Sequence, residues 1–164
     1  MSQFTVVPGK PEMEAEISRL QVEFAAGTLS KDERRLAKKV FKAIANLSRD
    51  PFYPALQSHE IAKLTERFSK PGGRPGETVK VFQSYLENDT PSAGRIYWVY
   101  GPEQKMITLV GFEPHPEDRK DAGYSRVQLS RMPTTNELAE ERAKKTAEAS
   151  TRKPESSKRK KRKS

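Results

Sequence analysis

Val79-Lys-Val-Phe-Gln-Ser-Tyr-Leu86 and Arg95-Ile-Tyr-Trp-Val-Tyr100 decide the fold. Both alternate with a period of two and are rich in β-branched and aromatic residues, the pattern of strands. In the first, Val79, Val81, Gln83 and Tyr85 share one face, and Lys80, Phe82, Ser84 and Leu86 the other. In the second, Arg95, Tyr97 and Val99 oppose Ile96, Trp98 and Tyr100. Asn88 to Gly94 reads as a loop, and Gly101-Pro-Glu-Gln104 as a four-residue hairpin turn leading to a third strand, Lys105 to Glu113. Two tight connections in succession imply an antiparallel meander.

Upstream, the period lengthens to that of a helix. Met13, Ile17, Leu20 and Phe24 are spaced four, three and four apart, and Gly27 suits a helix stop. A second helix opens at Ser30, where Glu33 completes a capping-box pattern, and runs through Leu36, Val40, Ile44 and Leu47 to Asp50-Pro51. So short a link favours an antiparallel helical hairpin. Phe4 to Val7 is a short β-prone segment ended by Pro8-Gly9. Phe52 to Leu56 reads as extended, His59 to Phe68 as a short helix, and Lys70 to Gly76 as a loop.

After the third strand come Pro114-His-Pro116, a charged stretch from Glu117 to Asp121, and Gly123 to Leu129, a fourth strand or a closing segment. The expected fold is therefore α+β: an N-terminal helical hairpin packed on one face of an antiparallel three- to four-stranded sheet. The other sheet face is expected to stay open to water. The folded domain is placed at 1–133, followed by a polar helical linker at 134–150 and a disordered Lys/Arg-rich tail at 151–164.

Composition narrows the function classes. The 164 residues include 31 Lys and Arg, 22 Asp and Glu, two His and no Cys, for a formal net charge of +9. Disulfides, thiolate metal sites and a cysteine nucleophile are thereby excluded, and two histidines make a dedicated zinc site a poor expectation. No apolar run approaches the roughly 20 residues that span a bilayer, and the N-terminus lacks a secretory pattern. The chain reads as soluble and cytoplasmic, with no cofactor and no membrane partner. Eight basic residues against one acid lie between Arg152 and Ser164. That tail suits a polyanion contact through counterion release. Its composition equally fits an inert solubilising appendage, or a patch of nuclear-localisation type.

Three stretches resemble the RelE/ParE superfamily of small bacterial toxins, the toxin half of type II toxin–antitoxin pairs. They are Asp50-Pro51 followed by Ala55-Leu56-Gln-Ser-His59-Glu-Ile61, the strand Arg95 to Tyr100, and Met106 to Phe112 with His115 and Tyr124 behind it. The resemblance spans roughly residues 1–130 and leaves the tail outside. It implies a RelE-like toxin that cuts mRNA on the ribosome without a metal and is neutralised by an antitoxin protein. The RNA 2′-hydroxyl attacks the neighbouring phosphate, which requires a base, a cation and an acid. A ParE-like toxin that inhibits gyrase without catalysis, and a non-catalytic nucleic-acid-binding protein with a RelE-like domain, are the alternatives.

The resemblance matches Arg95 to the family's phosphate-stabilising arginine, a role that guanidinium geometry suits. It places His115 and Tyr124 as the remaining catalytic groups. Arg119, Lys120 and Arg126 would hold backbone phosphates, although a solvated charge run explains them as simply. Some nuclease members carry two lysines on the first meander strand, where this chain has Gln83 and Tyr85. These two become RNA contacts, with Tyr85 able to stack on a base. His59 is read as a support for the sheet.

Overall fold

The computed structural model describes residues 3–69, 78–86, 94–113 and 127–147. Their order is β1 (Thr5–Pro8), α1 (Glu12–Ala26), α2 (Lys31–Arg49), a 3₁₀ turn (Pro54–Leu56), β2 (His59–Glu60), α3 (Ala62–Ser69), β3 (Phe82–Tyr85), β4 (Arg95–Tyr100) and β5 (Met106–Glu113). A further helix, α4, covers 135–147. The chain divides into two compact units, Met1–Met132 and Pro133–Ser164. In the second, Thr134 and Glu137 exchange hydrogen bonds as a full capping box: the Glu137 amide donates to Thr134 Oγ1, and the Thr134 amide to Glu137 Oε1.

The first unit is α+β, and its sheet is larger than the meander alone. Five strands lie in the order β1-β5-β4-β3-β2. The β2-β3, β3-β4 and β4-β5 pairs are antiparallel, and β1 adds parallel to β5 with Thr5 opposite Met106. Pro8 is tolerated in β1 because that strand is an edge and one missing N–H breaks no inner ladder. The segment 127–130 forms no strand, although the Ser130 amide donates to the Val110 carbonyl at 2.7 Å.

The helical hairpin forms as its periodicity predicts. Gly27 ends α1 in the left-handed conformation at φ 72°, and its amide reaches the Glu23 and Phe24 carbonyls. Ser30 caps α2 by accepting from the Glu33 amide. Only that half of the capping box is made, because the Glu33 carboxylate accepts instead from Arg19 of α1 at 3.0 Å. Met13, Ile17 and Leu20 of α1, with Ala37, Val40, Ala43 and Leu47 of α2, pack on Ile96, Trp98, Ile107 and Leu109. Trp98 is fully buried, and its indole N–H donates to Ser84 Oγ at 2.8 Å. Ser84 Oγ lies 2.6 Å from Ser58 Oγ, which donates to the Pro51 carbonyl. Since Ser58 spends its proton on that carbonyl, Ser84 donates to Ser58, and the buried polar chain closes without an orphan.

Three expectations need correction. Phe52 to Leu56 is not extended. Asp50 Oδ1 accepts from the Phe52 amide, and Pro54 opens a 3₁₀ turn that Gln57 ends at φ 47°. The segment from His59 does not begin as a helix. His59 and Glu60 pair with Gln83 and Phe82 first, and Thr65 then ties α3 to the sheet by accepting from the Val81 amide and donating to Glu60. Finally, the second sheet face is not open along its length. Ile61, Leu64 and Val127 cover Val81, Tyr97, Val99 and Val110, with Phe68, Leu129 and Met132 at the margin.

Candidate functional site

Among the described residues that cover leaves one end of the second face polar, and strand register determines which residues stand there. Tyr85 of β3 pairs with Arg95 of β4, which pairs with Glu113 of β5. One step along, Gln83 lies between His59 and Tyr97. Because these residues alternate with Ser84, Ile96 and Phe112, which belong to or border the hairpin core, they face away from the hairpin. Between Tyr97 and Trp98 the β4-β5 register slips by one residue. The slip turns both Val110 and Gly111 to this face, as a bulge does. Tyr97 lies across Gly111, where an added Cβ would sit 3.2 Å from its ring, and its hydroxyl donates to Glu113 at 2.6 Å.

Arg95 is half-buried, with its guanidinium carbon 5.7 Å from the centre of the Tyr85 ring. Its Nε is buried and has no hydrogen-bond partner among the described residues. A desolvated N–H left without an acceptor costs about 1–3 kcal/mol. The guanidinium fork itself suits bidentate contact with a phosphate or a carboxylate.

His59 is a group that the sequence reading set aside as structural. It is exposed, and its ring centre lies 6.3 Å from that of Tyr85. Nδ1 is 2.9 Å from the Gln57 carbonyl. A carbonyl only accepts, so Nδ1 carries the proton, and in the neutral ring Nε2 is left as the acceptor facing Gln83 Nε2 at 3.4 Å. The left-handed turn at Gln57 aims that carbonyl. Imidazole and guanidinium thus flank one phenol ring.

Gln83 is 1 % exposed with its amide beside His59, so the structure places it beneath the surface rather than on it. Tyr85 is half-buried beside Arg95. The other expected site residues, His115, Tyr124, Arg119, Lys120 and Arg126, lie outside the described residues. Among the described residues no group of three or more His, Asp or Glu side chains could hold a metal ion, and no helix is long and apolar enough to cross a membrane.

Sequence reasoning also passed over a cleft that adjoins Tyr85. It is lined by Lys39, Lys42, Ala43 and Asn46 of α2, Ala55 and Leu56 of the 3₁₀ turn, and Tyr85 and Leu86 at the end of β3, and encloses about 320 Å³. The helix spacing of the two lysines and Asn46 was readable, but the wall opposite them was not. A scan of protein-family models, a search of curated proteins and a search of solved structures each return no match to this chain.

Proposed function

We propose that the chain is a RelE-like toxin of a type II toxin–antitoxin pair, a metal-independent endoribonuclease that cuts mRNA on the ribosome and is neutralised by a cognate antitoxin. The arrangement of a helical hairpin on one face of a sheet ordered β1-β5-β4-β3-β2 supports the family reading. The observation that carries the activity is the half-buried Arg95 guanidinium, held against Tyr85 on the sheet face away from the hairpin. There it would neutralise charge on a phosphate while the 2′-oxygen attacks. The 2′ proton passes to a base, the 5′-oxygen leaves with a proton from an acid, and a 2′,3′-cyclic phosphate remains. His115 and Tyr124 are the proton carriers by resemblance, and His59 is a second imidazole beside the same ring.

The test is cleavage of mRNA by the purified full chain with ribosomes in EDTA. Arg95→Ala is expected to slow cutting by about 10²–10³-fold, the loss typical of one charge-stabilising donor. Arg95→Ala with His115→Ala and Tyr124→Phe should abolish it while the circular dichroism spectrum is retained. Full cleavage by the triple variant refutes the site. A second reading, a ParE-like or otherwise non-catalytic binding protein, is favoured by the apolar cover over Tyr97, Val99 and Val110 and by Gln83 where some nucleases carry lysine. It gains if the wild-type chain cuts no RNA but inhibits gyrase supercoiling or binds nucleic acid.

A further inference from the structure

The two helices of the hairpin carry opposite charge and compensate it differently. α1 has four acidic residues and one basic, whereas α2 has seven basic and two acidic. The one cation of α1, Arg19, pairs with Glu16, Glu23 and, across the hairpin, Glu33. On α2, Lys31, Arg35, Lys38, Lys42 and Arg49 are exposed and make no ion pair or side-chain hydrogen bond among the described residues. At about 100° per residue these five fall within about 60° of arc, in a row about 27 Å long. The row lies opposite Ala37, Val40, Ala43 and Leu47, which pack on the sheet. Of the two acids of α2, Glu33 is taken by Arg19, and Asp32 stands about 100° round from Lys31. This arrangement works against the helix. Lys31 and Arg35, and Lys38 and Lys42, are like charges at i, i+4, and Arg35 and Lys38 at i, i+3, so they repel. Lys31 also stands in the first turn, where the helix dipole disfavours a cation. A helix supported through its surface would mix the signs.

We propose that this row docks the chain on the sugar–phosphate backbone of duplex RNA. A line of cations of one sign meets its complement in a polymer that carries a dense line of phosphates, and about 27 Å covers most of one duplex turn. The other polyanions fit less well. A protein partner would need apolar or aromatic anchors, and protein interfaces are depleted in lysine. The row offers nothing more apolar than the exposed Ala45. A membrane-surface helix needs its apolar face free to enter lipid, and that of α2 is spent on the sheet around Trp98. A single strand would use aromatic side chains to stack its bases, and the row has none. Contacts to phosphate alone position a duplex without reading its sequence. The row lies on the hairpin side of the sheet and Arg95 on the other, so the docking is separate from the cleavage site. Only the choice of RNA over DNA rests on the nuclease reading.

The test is a binding experiment that needs no cleavage. The full chain, basic tail included, is titrated with a fluorescent 2′-O-methyl RNA duplex about two turns long over a range of salt concentrations. Arg35→Gln, Lys38→Gln and Lys42→Gln together should weaken binding by about tenfold or more and lower the salt slope by about three, one for each cation removed. Lys63→Gln, Lys80→Gln and Lys105→Gln remove the same charge from exposed positions off the row and should change the affinity much less. The row variant should melt no lower than the wild-type chain, because its repulsion is relieved. Unchanged affinity in the row variant, or an equal loss in both variants, overturns the proposal. So does a lower melting temperature in the row variant, which would give the cations a structural role. Tighter binding to a DNA duplex of equal length, or displacement of the RNA by polyglutamate or anionic phospholipid vesicles at equal charge, assigns the row to another partner and overturns it too. A chain that docks through the row yet cuts no RNA refutes the nuclease and keeps the row, whereas one that cuts RNA with a silent row does the reverse.

Discussion

Trp98 and Tyr97 are adjacent in sequence, fully buried, and on opposite faces of the sheet. They show how differently the two faces are closed. Trp98 lies under two amphipathic helices of 15 and 19 residues, and its single polar atom feeds a serine chain that ends on a backbone carbonyl. Tyr97 lies under an eight-residue helix and the segment from Val127 to Met132, and its hydroxyl reaches a half-buried carboxylate. Two long helices cover that face, so it is apolar apart from the Trp98–Ser84–Ser58 chain. Among the described residues, the shorter cover reaches only the middle of the second face. Polar groups therefore persist at its end, at His59, Tyr85, Arg95 and Glu113. The site stands where burial runs out.

The largest expected effect tests the better-closed face. Trp98→Ala should cost about 3–5 kcal/mol, as removal of a large buried aromatic does, read as a fall in the urea midpoint. A loss under about 1 kcal/mol would mean that the hairpin face relaxes around the cavity and is not the main source of cohesion. Tyr97→Phe keeps the ring over Gly111 and removes the hydroxyl that donates to Glu113. It should cost about 1 kcal/mol with an unchanged urea slope. A loss as large as that of Trp98→Ala would show that the polar end supports the second face instead of merely bordering it.

The same contrast explains what the sequence disclosed. The hairpin and β4 were legible because each is dictated locally: a 3.6-residue stripe, Ser30 and Gly27 at the ends, and strict alternation from Arg95 to Tyr100. Arg95 could be assigned to the face opposite Trp98 from alternation alone. The cover over the second face was not legible. It depends on Ile61 and Leu64 meeting Val127, more than sixty residues away, and no local period encodes that meeting. The place of His59 beside Tyr85 was not legible for a related reason. A two-residue strand is too short to show alternation, and only its pairing with Gln83 brings the imidazole to Tyr85. The parallel seat of β1 beside β5 is likewise a tertiary fact, since Thr5 to Pro8 says nothing of its partner.

The smallest effect probes the rim of the well-closed face. Tyr100 is 41 % exposed, while its ring packs near Phe4, Phe82 and Trp98, with centroid separations of 5.9, 5.7 and 5.1 Å. Burial, and then the Asp50 carboxylate, push its phenol above the ordinary tyrosine value. The folded chain then holds a proton that the unfolded chain gives up from about pH 10. The extra protons are on the folded side, so the contribution is complete below that pH and is lost as pH rises through the higher folded value. Tyr100→Phe keeps the ring contacts and has no proton to lose. Between about pH 9 and pH 11 it should therefore lose less stability than the wild-type chain, by under about 1 kcal/mol because solvent screens a side chain this exposed. Identical pH curves for the two chains would mean that water solvates the hydroxyl fully. The apolar face would then end at the Tyr100 ring rather than at its oxygen.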